Sequence, residues 1–212
     1  SADNNTINFR KPSGGGLDEG TYDNCTISVT SSSSNQTSDN LSVDNFTIDI
    51  TAPSVNSFTM SDTQIKVGET ATVQLVFSEA VISFSSSADI TAPNGTLSTM
   101  SSSDNITWSG TFTPSSNTED STNTLLLSTS YTDTAGNSGP SATTANYEVE
   151  TMAPSVNSFT MSDTALKIGD NATVTLVFSE AVISFSSSAD ITIPNGALST
   201  MTSSDNITWS GT

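Results

Sequence analysis

Histidine does not occur anywhere in the 212 residues, and basic side chains are almost as scarce: Arg10, Lys11, Lys66 and Lys167 face 22 acidic residues, for a net charge of -18. The first absence removes the commonest general base and the commonest transition-metal ligand together. The second excludes nucleic acid as a partner, because so acidic a chain repels a polyanion, and it disfavours docking on an anionic membrane surface. Cys25 is the sole cysteine, so no disulfide can form within the chain. No run of about 18 apolar residues occurs, which argues against direct membrane insertion. The opening residues carry no basic-then-apolar leader pattern. The chain reads as soluble, or as a piece of something larger.

Enzymatic readings fail on the same absences. Serine is plentiful, but without histidine a Ser-His-Asp triad cannot be built, and the single cysteine has no base beside it. Paired carboxylates can hydrolyse glycosides, yet nothing in the spacing sets two of them across a cleft. The expectation is a protein that is not an enzyme.

What is present is repetition. "APSVNSFTMSDT" stands at Ala52–Thr63 and again at Ala153–Thr164, and the alignment of residues 52–111 with 153–212 needs no insertion and differs at nine of sixty pairs. Periods of about 20–50 residues mark solenoids, whereas a period near 100 is the size of a domain with its own core. Residues 1–51 are more diverged, but "FTIDITAPS" at Phe46–Ser54 matches "YEVETMAPS" at Tyr147–Ser155. The expected organisation is therefore the closing strands of one domain over 1–51, a complete domain over 52–152, and the first part of a third over 153–212, with both ends falling inside a fold.

Apolar residues make up only a third of the chain, so any core is thin, and their period decides between disorder and strands. Ala71, Val73, Leu75 and Phe77 alternate with polar residues, as do Ile106, Trp108, Gly110 and Phe112, which is the period of a strand. Shorter candidates are Val55–Met60, Val81–Phe84, Thr96–Met100, Leu125–Tyr131 and Ala145–Val149. Turn chemistry separates them at Val67-Gly68-Glu69, Pro93-Asn94-Gly95, Ser102–Asn105, Thr113-Pro114-Ser115 and Ala135-Gly136-Asn137. Seven short strands in about 100 residues, with no helical stretch, predict an all-β fold of tandem immunoglobulin-like antiparallel sandwiches.

"VFSEAVISFSSSADITAPNGTLS", "YTDTAGN" and the boundary "TAPSV" resemble the bacterial immunoglobulin-like repeats of large surface adhesins and biofilm-associated proteins. The resemblance covers the complete repeat and the partial third, and reaches the first segment only at its closing strand. It implies an extracellular, cell-surface, structural or adhesive role in a filament or stalk, with calcium stiffening the joints between domains. Related domains also decorate phage virions, in tails or on capsids, which is the alternative setting. Expected partners are neighbouring repeats of the same chain, with host or surface glycans engaged by distal modules.

In such a sandwich the second-to-third and sixth-to-seventh strand loops lie where the chain enters. Glu79 of "FSEAV" and Asp133 of "DTAGN" should then approach Asp49, with Asn137 as a further oxygen donor. Several carboxylate and amide oxygens from different loops are what calcium requires, at about 2.3–2.6 Å. Glu150 and Glu180 form the equivalent pair at the next joint. These residues equally suit turns and caps on a solvated surface. Where the complete repeat reads "DTAGN", the first segment reads "SSSSN" at Ser31–Asn35, so that joint lacks the aspartate. Asp62 of "SDT" suits a turn bonding nearby amides better than a ligand.

Trp108 and Trp209 share parity with core positions, so packing is favoured over sugar stacking. Sequons such as those at Asn24, Asn45 and Asn105 arise by chance in so polar a chain. Cys25, aligned with Leu127, fills a core site and is inert. "LDEGTY" at Leu17–Tyr22 suggests a corner in which the tyrosine hydroxyl bonds back to the chain, although Cys25, Ile27 and Val29 then fall on the opposite parity from Tyr22. A strand of about ten residues spans about 33 Å, so each repeat adds on the order of 35–45 Å of reach. Spacer, glycan- or receptor-binding module, and self-assembly by strand exchange between chains are the three functional readings.

Overall fold

The computed structural model describes residues 10–11 and 13–212; the first nine positions and Pro12 of the expected 1–51 segment lie outside the described residues. The chain divides into two compact units, residues 1–150 and 151–212.

The first unit opens with a long hairpin. Its strands β1 (Gly20–Tyr22), β2 (Thr26–Ile27), β3 (Leu41–Ser42) and β4 (Phe46–Ile48) pair antiparallel as β1 with β4 and β2 with β3. Asn24 takes a left-handed φ of 56°, a conformation asparagine tolerates better than most residues. That break reverses the side-chain parity between Tyr22 and Cys25, and so resolves the clash between the two that simple alternation creates. Tyr22, Cys25 and Ile27 are all half-buried. Tyr22 stacks on Phe46 at 5.1 Å, and its hydroxyl donates to the Asp18 carbonyl at 3.0 Å, as the corner reading expects. Cys25 is corrected on two counts. It is only half-buried, and the pairing puts Ile27 opposite Leu41 as Leu127 stands opposite Ala142, so Ile27 and not Cys25 matches Leu127.

The complete repeat follows. Its strands are β5 (Val55–Met60), β6 (Gln64–Lys66), β7 (Ala71–Phe77), β8 (Val81–Ile82), β9 (Ile90–Thr91), β10 (Gly95–Leu97), β11 (Thr107–Pro114), β12 (Glu119–Asn123), β13 (Leu126–Leu127), β14 (Thr132–Asp133), β15 (Ala142–Thr143) and β16 (Tyr147–Glu150). One sheet runs β5-β7-β11-β10, all antiparallel. The facing layer centres on residues 119–133, which pair with β15 and β16 on one side and with β8 and β9 on the other, while β6 joins its edge in parallel to β16.

Alternation does the sorting. Ala71, Val73, Leu75 and Phe77 are buried while Thr72 and Gln74 face outward. Phe112, Leu125, Leu127, Tyr131, Tyr147 and Val149 close on them from the other elements. Each such Val, Leu or Phe side chain contributes about 1.5–3 kcal/mol when fully buried. Trp108 is half-buried against the core, edge-on to Phe84 at 4.8 Å, with its Nε1 donating to the Asn105 carbonyl. Gly110 lets Met100 approach, since a Cβ there would stand 2.8 Å from the Met100 Cγ.

The expectation of no helical stretch is corrected by one turn, α1 (Ser86–Asp89), set between β8 and β9. Its cause is Asp89, which is buried: one carboxylate oxygen accepts from the Ser85 amide at 2.7 Å, and the other from the Ser130 hydroxyl across the layer. Local polar bonding has outcompeted the strand ladder there.

The second unit carries β17 (Val156–Met161), β18 (Val174–Phe178) and β19 (Thr208–Gly211) in one antiparallel sheet, with the turn α2 (Ser187–Asp190). These repeat β5, β7, β11 and α1. The counterparts of β6, β8 and β9 do not form as strands, because in the complete repeat each of those pairs with residues 126–150.

Candidate functional site

Three carboxylates meet where the chain enters the complete repeat. Asp49, Glu79 and Asp133 each place an oxygen within 4.8 Å of the others. Each comes from a different element: Asp49 just after β4, Glu79 from the tight turn after β7, and Asp133 from the end of β14. The fold brings them together because β8 pairs Val81 with Asp133, which sets the turn at residues 78–80 beside the loop at 134–137.

Asp133 is fully buried and well supplied with donors. Its Oδ1 accepts from the amides of Ala135 (2.8 Å) and Asn137 (2.9 Å), and its Oδ2 from the Asn137 side chain (2.8 Å). Burial acts to raise its pKa, but these hydrogen bonds together outweigh it and hold the group below the ordinary carboxylate value. Glu79 goes the other way. Partial desolvation, then the charges of Asp49, Asp133 and Glu19, push its pKa up. The site therefore gathers negative charge around Glu79.

Asn137 stands in the same cluster, but as a strut. Its side-chain NH2 donates to the carbonyls of Asp49 (3.2 Å) and Thr51 (3.3 Å) as well as to Asp133. Asp49 Oδ1 accepts from the Thr51 amide at 3.1 Å, and the Thr51 hydroxyl donates to Glu19 at 2.7 Å. Glu19 is the member that sequence reasoning missed, since its approach depends on the hairpin that places it beside Thr51. Glu150 ends β16 in the first unit, paired with Glu119 and Lys66, while Glu180 follows β18 in the second. Neither belongs to the three-carboxylate group. Asp62 accepts from the Gln64 amide at 2.9 Å and is a turn residue.

Among the described residues of the first unit no aromatic side chain is exposed. No helix among the described residues is long and apolar enough to cross a membrane.

The four-stranded antiparallel sheet β5-β7-β11-β10, faced by a layer built on β12 to β16, defines an immunoglobulin-like sandwich. The chain belongs to the bacterial Ig-like domain family, whose model matches residues 49–149 and again 150–212. No curated protein and no solved structure matches it. Membership makes it a structural module of the kind carried by surface proteins.

Proposed function

We propose that the chain is a spacer segment of a large extracellular surface adhesin or filament, in which repeated sandwiches hold a distal binding module away from the cell. One observation carries the reading. In the complete repeat the chain enters beside Phe77 and the 78–80 turn, where Val55 pairs, and leaves at Glu150 beside Lys66, at the opposite end of β7. A domain whose ends lie at opposite poles passes the chain onward in series. Polar outer loops and buried aromatics support a spacer over a glycan-binding surface, and the missing histidine supports a non-catalytic role.

At the same head, Asp49, Glu79 and Asp133 suit calcium in number, charge and spread over three segments. Bound there, the ion would tie the segment before β5 to the two loops of the sandwich and offset the repulsion that loads Glu79.

The spacer reading is tested by small-angle scattering on chains with one, two and three complete repeats. The maximum dimension should grow by about 35–45 Å per repeat. Repeats that fold back on one another, leaving that dimension nearly constant, would refute it.

A further inference from the structure

An asparagine followed by glycine is a chemically labile pair, because glycine has no Cβ to keep its amide nitrogen away from the asparagine carboxamide. The complete repeat places such a pair, Asn94-Gly95, at the head of β10, and the fold requires both residues. Asn94 takes a left-handed φ of 55°, a conformation asparagine tolerates better than most residues. Gly95 lies against the Phe112 ring, where a Cβ finds no room.

Asn94 is also the hub of a polar cluster. Its side-chain Nδ2 donates to Asp120 Oδ2 at 2.8 Å and to Asn123 Oδ1 at 2.7 Å. Asn123 is buried, and its orientation is set because its own Nδ2 donates to the carbonyls of Asp120 (3.0 Å) and Tyr147 (3.2 Å). Asp120 is held below the ordinary carboxylate value, by the Thr122 amide first and with Asn94 among its donors, so it meets Asn94 as an anion. The Ser115 amide donates to the Asn94 carbonyl at 2.9 Å. Two acceptors thus close on one NH2 group, and only a side chain with two hydrogens to give satisfies both. A carboxylate at position 94 would supply neither hydrogen and would stand against the charge of Asp120.

We infer that Asn94 is a site of spontaneous deamidation which the folded repeat blocks and the opened repeat exposes, so that conversion marks a repeat that has unfolded and hinders its return. In the opened chain the Gly95 nitrogen attacks the Asn94 Cγ, the Cγ–Nδ2 bond breaks, and the side-chain nitrogen leaves as ammonia with the proton taken from Gly95. Water then opens the resulting succinimide at either carbonyl and leaves aspartate or isoaspartate. In the fold the attack is denied, because the carboxamide is pinned to Asp120 and Asn123 and the neighbouring carbonyl to Ser115. Aspartate sets a second carboxylate against Asp120 where an NH2 group had bridged two acceptors. Isoaspartate adds a methylene to the main chain beside the Phe112 ring, where the fit is already close.

The test follows the 212-residue chain in mildly alkaline buffer, folded and in urea, by mass spectrometry of the peptide "ITAPNGTLSTM", which differs in sequence from "ITIPNGALSTM" of the second copy. Asn94 should convert at least about tenfold more slowly in the folded chain, since conversion there waits on opening. At matched overall stability, Asp120→Ala should raise the folded-state rate more than the core variant Val73→Ala, because it loosens the clamp itself. Chain converted in urea and then refolded should unfold at a lower urea midpoint than unconverted chain, and so should Asn94→Asp. Equal rates in the folded and urea-unfolded chain overturn the proposal. So does an equal rise from Asp120→Ala and Val73→Ala, and so does an unchanged midpoint in either the converted chain or Asn94→Asp.

Discussion

The side-chain amide of Asn137 donates to the backbone carbonyl of Asp49 at 3.2 Å, across 88 positions of sequence. Through it the loop after β14 holds the segment that precedes β5, and the same NH2 group also satisfies Asp133 at 2.8 Å. Asn137→Ala leaves the Asp133 Oδ2 without this donor and frees the linker. The expected cost is about 1–3 kcal/mol, the range for losing one partner of a buried hydrogen-bonded group. Urea unfolding of the variant measures it.

Calcium should raise the melting temperature of the wild-type chain and not that of Glu79→Gln. Saturation at about 100 times Kd is worth about 2.7 kcal/mol. In excess chelator the order reverses, because Glu79→Gln removes the charge that Asp49 and Asp133 repel, and the variant should melt higher than wild type. A wild-type melting curve indifferent to both calcium and chelator would remove the metal reading.

The carboxylates predict a stability profile with two slopes of opposite sign on the acid side. Glu79 is raised above 4.5, so its protonated form is favoured in the fold, and its contribution grows as pH falls through its raised value. Asp104 and Asp205 are lowered below 3.8, chiefly by the amides of Thr107 and Thr208 respectively, so what they contribute above 3.8 is lost as pH falls through their depressed values. Without divalent cations, stability should therefore climb on acidification from neutrality and then collapse. Glu79→Gln should flatten the climb and Asp104→Asn should soften the collapse in pH-dependent urea unfolding.

Tyr131 and Tyr147 are pushed up to about 12, by burial first and then by Asp89 and Asp120 respectively. Spectrophotometric titration should leave both phenols protonated at pH 10. Their neutral forms favour the fold below that point, and the benefit is lost as pH rises toward about 12. Tyrosinate absorbance for these two rings should thus appear together with alkaline unfolding.

Gly95 and Gly196 occupy the same place in the repeat with different surroundings. A Cβ on Gly95 would meet the Phe112 ring at 2.2 Å, while on Gly196 the nearest atom is the Ile193 Cγ2 at 3.6 Å. Gly95→Ala should cost about 1–3 kcal/mol through overpacking, and Gly196→Ala should be close to neutral in the monomeric chain. Calorimetry of the two variants separates them.

Legibility followed the range of the interaction. Ala71, Val73, Leu75 and Phe77 announce their strand because every second residue is apolar, and Val55–Met60 forms over the expected residues although its alternation is broken by a register shift between Val55 and Ser57. The meeting of Asp49, Glu79 and Asp133 was accessible only through the sandwich topology, which fixes which loops share an end. Glu19 and the role of Asn137 as a donor strut were not accessible, since both depend on the path of the linker. The turn at Ser86–Asp89 escaped because "SSSAD" carries no apolar period, and it rests on the Asp89 carboxylate accepting from the Ser85 amide, a bond that recurs between Asp190 and Ser186.

The parallel pairing of β6 with β16 has a mechanical meaning. With the chain leaving from opposite poles, a pull on the two ends drives these strands past each other lengthwise, so their backbone bonds resist together and do not peel one at a time. Stretching a single molecule should therefore show one abrupt rupture for each closed sandwich.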